Sequence, residues 1–278
     1  MLIAESDYDL TEREFQLVSD LVYRHCGINL HDGKKELVRA RMAKHIRSGG
    51  FRSVAAYLEH VNNEPSREAF HSLIDSISTN LTSFFRERQH FDHLSGKFLP
   101  ALAERKRKAG ANRIRAWSAG CSTGQEPYSL TITLLETLGT AWDMKLLATD
   151  ISRRVLQTAR QGIYEKTKLD GVSPELRGKY FPTLEGHRAM TQASAQLRSL
   201  IQFNYLNLME PWPFSGPFDF IFCRNVMIYF DKPTQERLIN RYYDCLDSGG
   251  LLFTGHSESL TGVSHKFRYV QPTIYAKP

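Results

Sequence analysis

The stretch AWSAGCSTGQEPYSL, residues 116–130, decides the fold of this chain. It joins a strand-like apolar run to a helix-like segment, which is where a doubly wound sheet places a ligand. No Lys-Ser or Lys-Thr follows Gly124, so this is not a P-loop, and the spacing of Gly120 and Gly124 departs from G-x-G-x-x-G. Glu126 at the mouth of the loop would repel a pyrophosphate but suits a cationic ligand.

The next apolar run, KLLATD, ends at Asp150. An acid at the end of the second strand accepts both hydroxyls of a ribose. A nucleoside with a cationic amino-acid arm and no phosphate is S-adenosylmethionine, so the loop and Asp150 together predict a binding site for this methyl donor. Taken alone, a glycine loop is more often only a structural turn.

The rest of the chain shows two different sequence patterns. The runs RIRAW, KLLATD, FDFIFC and GLLFTG alternate with helical segments, which predicts a parallel sheet with crossover helices, and the tail FRYVQPTIYAKP predicts edge strands. The first hundred residues show helical periodicity instead. We therefore expect an all-α N-terminal domain over 1–103, a linker near 104–112 and an α/β domain over 113–278. Residues 178–203 interrupt the α/β pattern and are predicted to be an insertion.

The bulk composition indicates a soluble intracellular protein. The 278 residues are 41% hydrophobic and 24% charged, and no stretch approaches the roughly 20 apolar residues of a membrane span. The four cysteines form no C-x-x-C, which argues against a zinc or disulfide framework and suits a reducing cytosol. The ten histidines form no H-E-x-x-H, so no catalytic metal is expected.

The net charge of +6 is unevenly distributed. Residues 34–52 hold seven Lys or Arg against one acid, and residues 86–115 hold nine against three. Such patches predict an anionic partner, which could be nucleic acid, an acidic protein or a membrane surface. The alternative is that these are ordinary solvated helix faces.

Two further segments carry polar residues that are candidates for the predicted site. NLTSFFRERQHF supplies Asn80, Thr82 and Arg86, although the first two could simply cap a helix. DFIFCRNVMIYF ends an apolar strand with Arg224 and Asn225, at the sheet edge where ligands bind in this fold. Tyr229 follows, and could alternatively be an aromatic core residue.

These motifs carry a specific resemblance. NLTSFFRE, WSAGCSTGQEPYSL, ATDIS, NL at 207–208, FDFIFCRNVMIYF and GGLLFTGHSESL, together with CGINL near the N-terminus, resemble the chemotaxis-receptor methyltransferases of the CheR family in order and spacing. The resemblance covers nearly the whole chain. Gln125 stands where the family usually has an acid, whereas Glu126 is kept.

The resemblance implies a Rossmann-like class I S-adenosylmethionine-dependent methyltransferase domain with a small β-subdomain insertion. It implies an enzyme that methylates glutamate side chains on the cytoplasmic helices of chemoreceptors and releases S-adenosylhomocysteine. Nothing in the sequence suggests an obligate dimer, so we expect a cytoplasmic monomer, with neither nucleic acid nor membrane insertion involved. The implied donor-binding residues are Asn80, Thr82, Arg86, Gly120, Glu126, Asp150, Asn207, Leu208, Arg224 and Asn225.

For catalysis we expect Arg86 to orient the incoming carboxylate and Tyr229 to pack near the methyl group. The basic residues expected to attract the receptor are Lys34, Lys35, Arg39, Arg41, Lys44 and Arg47. Two rival functions stay open: a nucleic-acid methyltransferase, which the absence of an Asn-Pro-Pro-Tyr-type motif disfavours, and a non-catalytic receptor-binding module.

Overall fold

A computed structural model describes residues 10–64, 67–78 and 80–278. The chain forms two compact units. The first consists of the described residues up to Ser78 together with Tyr229–Thr234, and the second comprises Asn80–Ile228 and Gln235–Pro278. Among the helices described, none combines the length and apolar character needed to cross a membrane.

The first unit is helical. Its helices are α1 (Glu12–Cys26), α2 (Lys35–Ser48), α3 (Val54–Asn63) and α4 (Glu68–Ile77). Thr11 and Glu14 form the capping box that starts α1, and Gly27 ends it at a φ of 72°. In α2 the buried residues Val38, Met42 and Ile46 recur every fourth position, which leaves the basic residues on the remaining surface.

A short segment from late in the chain also belongs to this helical unit. The Asn29 amide donates to the Tyr229 carbonyl at 2.8 Å, and the Tyr23 hydroxyl donates to Asp231 Oδ2 at 2.7 Å. The chain therefore leaves the second unit after Ile228, is hydrogen-bonded within the first, and returns along a helix.

The second unit is built on a seven-stranded sheet. The strands of this unit are β1 (Arg113–Ala119), β2 (Asp143–Asp150), β3 (Ile163–Glu165), β4 (Thr183–Leu184), β5 (His187–Gln192), β6 (Ile201–Tyr205), β7 (Phe218–Cys223), β8 (Leu246–Thr254), β9 (Arg268–Gln271) and β10 (Ile274–Ala276). The main sheet has the order β6-β2-β1-β7-β8-β10-β9, parallel from β6 to β8 and antiparallel at β10 and β9. This confirms the predicted parallel sheet with edge strands from the tail.

The strand order fixes where a ligand binds. From β1 the chain moves first to β2 on one side and later to β7 on the other, so the topological switch point lies at the carboxyl ends of β1 and β7. Every residue of β7 is buried, as expected for a central strand covered on both faces. The polar residues that follow it therefore emerge at the crevice.

The helices of this unit are α5 (Gln89–His93), α6 (Leu99–Lys108), α7 (Gln125–Leu138), α8 (Arg153–Gln161), α9 (Pro174–Tyr180), α10 (Ala195–Leu200) and α11 (Lys232–Cys245), of which α11 begins in the helical unit. A π-helical turn, Leu94–Phe98, joins α5 to α6. Phe91, Leu94 and Leu102 belong to the same core as β1, and the Phe98 ring lies 6.1 Å from that of Phe220. Residues 80–108 thus pack with the sheet, whereas the sequence predicted a helical domain reaching residue 103.

A small second sheet has the order β3-β5-β4 and is antiparallel. It lies in the predicted insertion but begins earlier, at Ile163, because the three-residue strand β3 directly follows the Gly162 cap of α8. The predicted end at 203 also falls inside β6, which pairs with β2 in the main sheet. The β-subdomain therefore occupies about 163–192.

Candidate active site

The glycine loop after β1 depends on two residues with positive φ. At Gly120, φ is 87° and an added Cβ would meet Val226 Cγ2 at 2.3 Å. At Gly124, φ is 99° and a Cβ would lie 2.7 Å from the Tyr164 hydroxyl. A side chain at either position would be strained and would clash, so the loops after β1 and β7 approach closely only because glycine stands there.

Asp150 ties the loop to the end of β2. Its Oδ2 accepts the Ser122 amide at 2.8 Å, and its Oδ1 accepts the Ser152 amide at 2.9 Å. The Ser122 hydroxyl in turn donates to the Asn80 carbonyl at 3.1 Å. Ser122 has a φ of 49°, which turns its amide and hydroxyl toward these two partners. These hydrogen bonds therefore bring together three segments that the sequence predicted for the donor site, at residues 80, 120–124 and 150.

Glu126 lies in the first turn of α7, and its side chain is 12% exposed. Ser118 Oγ donates to its Oε1 at 2.7 Å, and Arg224 Nη1 lies 3.2 Å from its Oε2. Burial raises the pKa of Glu126 above its ordinary value, while Arg224 and the Ser118 hydrogen bond oppose that rise. A carboxylate at a helix N-terminus next to a guanidinium remains available to attract a cation.

Arg224 is the centre of this cluster. Its side chain is 1% exposed, and its Nη2 lies 2.9 Å from Glu87 Oε2 and donates to the Arg86 carbonyl at 2.5 Å. The rings of Phe91 and Phe222 flank its guanidinium at 5.8 and 5.7 Å. A buried guanidinium that contacts two carboxylates is fixed in position. The apolar strand that ends in Arg-Asn indicated a functional arginine here, but the sequence could not specify its partners.

Glu87 is a site residue that the sequence reasoning missed. It accepts from the Arg224 guanidinium and from the backbone amide of His256. Burial alone would raise the pKa of Glu87, but the charge and hydrogen bond of Arg224 outweigh it and lower that pKa. Only its position inside the NLTSFFRE motif, next to Arg86, could have drawn attention to it.

Glu258 was missed as well. It is 5% exposed and accepts the amides of Gly255 at 2.6 Å, Asn225 at 2.7 Å and Ile228 at 3.1 Å. Burial raises the pKa of Glu258 and these amides oppose the rise. Asn225 has a φ of 58°, so Glu258 stabilises a strained turn after β7. The GHSESL motif contains it, but its role depends on partners 30 and more residues away.

The remaining predicted donor residues differ in exposure and in their hydrogen-bond partners. Arg86 is partly exposed, and its Nη1 donates to the Leu81 carbonyl at 2.9 Å. Thr82 is also partly exposed. Asn207 follows β6, where its Oδ1 accepts the Met209 amide at 3.0 Å. Leu208 is buried beside it, and its carbonyl accepts a hydrogen bond from Arg241.

Tyr229 and the predicted receptor-binding residues belong to the helical unit. Lys34 Nζ lies 5.0 Å from the centre of the Tyr229 ring. Lys35 and Arg39 form ion pairs with Glu12 and Glu36, Arg41 donates to the Ile77 and Ser78 carbonyls, and Lys44 and Arg47 are exposed.

Comparison with known proteins identifies the family. Residues 80–276 match the family model "CheR methyltransferase, SAM binding domain", and residues 13–78 match "CheR methyltransferase, all-alpha domain". A probable chemotaxis protein methyltransferase of Rhizobium etli is 42% identical over 92% of this chain and 96% of its own length. The chain belongs to the CheR methyltransferase family.

Two other relatives agree with this assignment. Chemotaxis protein methyltransferase 2 of Pseudomonas aeruginosa is 40% identical over 99% of this chain and 96% of its own length. The chemotaxis protein methyltransferase of Escherichia coli is 39% identical over 96% of this chain and 91% of its own length. The chain is therefore an S-adenosylmethionine-dependent methyltransferase with the predicted all-α and class I domains.

The residues at the candidate site fit S-adenosylmethionine, the methyl donor of a CheR methyltransferase. The Glu126 carboxylate suits a ligand with sulfonium and ammonium groups, since a carboxylate attracts both. The oxygens of Asp150 accept the Ser122 and Ser152 amides at the end of β2, the position from which an acid holds the hydroxyls of a ribose in this fold. Residues 120–126 contain no Lys or Arg to hold a phosphate.

Proposed function

We propose that this methyltransferase transfers the methyl group of S-adenosylmethionine to glutamate side-chain carboxylates of chemoreceptors. The products are glutamate methyl esters and S-adenosylhomocysteine, and the role is sensory adaptation in bacterial chemotaxis. The enzyme acts as a cytoplasmic monomer, without nucleic acid and without insertion into the membrane. The helical domain meets the receptor, and the α/β domain binds the donor.

The observation that carries this proposal is the contrast between two neighbouring arginines. Arg224 is buried and contacts the carboxylates of Glu87 and Glu126. The Arg86 side chain is 35% exposed, and its Nε lies 4.0 Å from Glu87 Oε1. A cation that adjoins the donor residues and stays accessible favours an anionic acceptor.

A carboxylate acceptor makes modest chemical demands on the protein. A glutamate with a pKa of about 4.3 is ionised at pH 7, so no general base is required. When bound, S-adenosylmethionine supplies an electrophilic methyl group. The protein's part is to strip water from the carboxylate and align it, for which good positioning contributes up to about 7–11 kcal/mol in the best cases.

In this proposal Arg86 orients the carboxylate without binding it tightly. The carboxylate loses its charge as the ester forms, so an ion pair that is equally strong at the start would slow the reaction. Tyr229, which belongs to the helical unit, is the second proposed catalytic residue. Tyr229 comes directly after Ile228, whose amide donates to Glu258 at the end of the turn after β7.

The receptor-binding surface is proposed to be the basic face of α2 and its preceding turn. Lys44 and Arg47 are its best candidates because both side chains are exposed. Lys35 and Arg39 already face acids within the unit, so they contribute less net charge to a partner.

The test uses methyl-labelled S-adenosylmethionine with receptor cytoplasmic fragments and, in parallel, with nucleic acid. The product is then treated with mild alkali, and volatile label is counted. The proposal predicts transfer to the receptor fragment and release of the label as methanol, because a carboxyl methyl ester hydrolyses. A receptor fragment with its methylatable glutamates replaced by alanine is the matched control and should take up no label.

Two outcomes would contradict the proposal. Alkali-stable label means that an amine was methylated, and label on nucleic acid alone supports the first rival function. Donor binding by calorimetry without transfer to any of several receptor fragments would support a binding module.

A further inference from the structure

Three side chains that the methyl-transfer site does not fully use converge beside it. His90 Nδ1 lies 3.5 Å from Glu87 Oε2, and His256 Nε2 lies 3.8 Å from the same oxygen. One potential ligand atom from each residue lies within 4.8 Å of the others. Glu87 and His90 are three residues apart at the start of α5, and His256 follows β8, so two elements of the α/β unit supply the cluster.

The contacts of His90 favour one of its two tautomers. Its Nε2 lies 2.8 Å from Thr273 Oγ1, and Thr273 Oγ1 lies 2.7 Å from the Pro272 carbonyl oxygen. Both contacts are hydrogen bonds when His90 Nε2–H donates to Thr273 and the Thr273 hydroxyl donates to Pro272, since a hydroxyl has one proton to give. In this tautomer His90 Nδ1 carries a lone pair.

That lone pair has no hydrogen-bond partner. His90 is 1% exposed, and its Nδ1 is buried without a hydrogen bond. An imidazole lone pair and a carboxylate oxygen thus face each other with no proton between them, an arrangement that a positive ion stabilises.

The spacing suits a tetrahedral ion. Zn²⁺ binds imidazole nitrogen and carboxylate oxygen at about 2.0–2.2 Å, which separates tetrahedral ligands by roughly 3.3–3.6 Å. The two distances to Glu87 Oε2, 3.5 and 3.8 Å, are close to this, and a shift of the exposed His256 side chain would bring its nitrogen, now within 4.8 Å of the other ligand atoms, to the remaining spacing. The His256 side chain is 51% exposed, so an ion has a route in and a position open to water. Two imidazoles favour Zn²⁺ or Co²⁺ over Mg²⁺ or Ca²⁺.

We propose that Glu87, His90 and His256 bind a divalent transition-metal ion of the Zn²⁺ type, and that this ion competes with Arg224 for the Glu87 carboxylate. Arg224 and Arg86 both lie near Glu87, so their charges weaken the site relative to a structural zinc site and suit reversible binding. The competition makes the ion an inhibitor, since freeing Arg224 disturbs its contact with Glu126. Inhibition rests on the proposed donor site, whereas metal binding does not.

The test is a Co²⁺ titration of the metal-free full chain, followed by visible absorption, since tetrahedral Co²⁺ absorbs strongly. We expect one saturable equivalent, displaced by Zn²⁺ and unaffected by excess Mg²⁺. His256→Ala, at an exposed side chain, should abolish the absorption. His187→Ala, at an exposed histidine of β5, is the matched control and should leave it unchanged. Absence of saturable absorption, or retention of it in His256→Ala, overturns the proposal.

The tautomer argument has its own test. Thr273→Val removes the acceptor for His90 Nε2–H and should weaken Co²⁺ binding by about 10- to 100-fold, while Thr273→Ser should restore it. Equal weakening by both substitutions would contradict the argument. In the same titration, saturating S-adenosylhomocysteine should lower Co²⁺ affinity, and by reciprocity Co²⁺ should lower ligand affinity by the same factor. Binding of Co²⁺ without this coupling would reject competition and leave the metal site standing.

Discussion

Two basic regions of this protein, the Arg224 cluster of the α/β unit and the exposed surface of α2 in the helical unit, use positive charge in opposite ways. In the α/β unit, Arg224 is 1% exposed and contacts two carboxylates. In the helical unit, α2 carries Lys44 and Arg47 on its exposed surface. A buried charge must be paired and is therefore fixed, while an exposed charge stays hydrated and acts at a distance. The first arrangement suits precise binding of a small donor, and the second suits attraction of a large acidic partner.

The largest expected effect follows from breaking the buried cluster. Glu87→Gln leaves Arg224 with the Glu126 carboxylate alone, so the loss is that of a hydrogen bond between charged groups, about 1.5–3 kcal/mol of unfolding free energy. Denaturant unfolding at pH 7 measures this. Glu104→Gln, which removes an exposed partner of Lys108, is the control and should cost no more than about 0.5 kcal/mol.

The same substitution has a definite pH dependence. The pKa of Glu87 is lowered in the folded protein, so its stabilisation is present above the unfolded-state pKa and is lost as pH falls through the folded-state value. The difference between wild type and Glu87→Gln should therefore shrink in acid below about pH 4.3. A difference that stays constant down to pH 3 would mean that the carboxylate charge is not what stabilises the cluster.

A smaller but more specific effect is expected at Arg86. Arg86→Ala should lower turnover by about 100-fold, the scale of a misplaced substrate, with a much smaller change in donor affinity. Steady-state kinetics and calorimetry separate the two quantities. Arg88→Ala is the matched control, because Arg88 is two residues away, is 75% exposed and pairs only loosely with Asp92 at 3.9 Å. Lost donor binding with normal turnover at saturation would remove Arg86 from catalysis.

Glu126 should give donor binding a pH dependence of moderate size. Its pKa is raised by burial, and only the ionised form attracts a cationic donor. Donor affinity should therefore start to fall at a higher pH than an ordinary glutamate with a pKa of about 4.3 would produce. Calorimetric titrations from pH 8 to 5 measure this, and Glu126→Gln should bind weakly at every pH. An affinity that is flat over this range in the wild type would contradict the role given to Glu126.

The sequence could predict features that a local pattern specifies. Gly120 and Gly124 mark a loop that needs positive φ, Asp150 ends an apolar run, and Arg224 follows one, so the parallel sheet and the polar residues at the ends of its strands were accessible from the residues alone.

Features that depend on distant partners were not predictable. Glu87 and Glu258 look like ordinary surface acids in the sequence, and they matter because Arg224 and the amides of the turn at Asn225 meet them in space. The boundaries of the small sheet were misplaced for a related reason. A strand of three residues such as β3 is too short to be recognised by its hydrophobic periodicity. It is defined by its pairing with β5.

The most direct test of the contrast between the units measures two constants on the same enzyme at 50 and 300 mM salt. These are the donor dissociation constant and the KM for a receptor cytoplasmic fragment. Because the Debye length is about 8 Å at physiological ionic strength, exposed charges are screened and buried ones are not. We predict that KM rises with salt while donor affinity hardly changes, and that Lys44→Ala/Arg47→Ala removes most of the salt dependence of KM. Equal salt responses of both constants, or an unchanged response in the double variant, would contradict the division of roles.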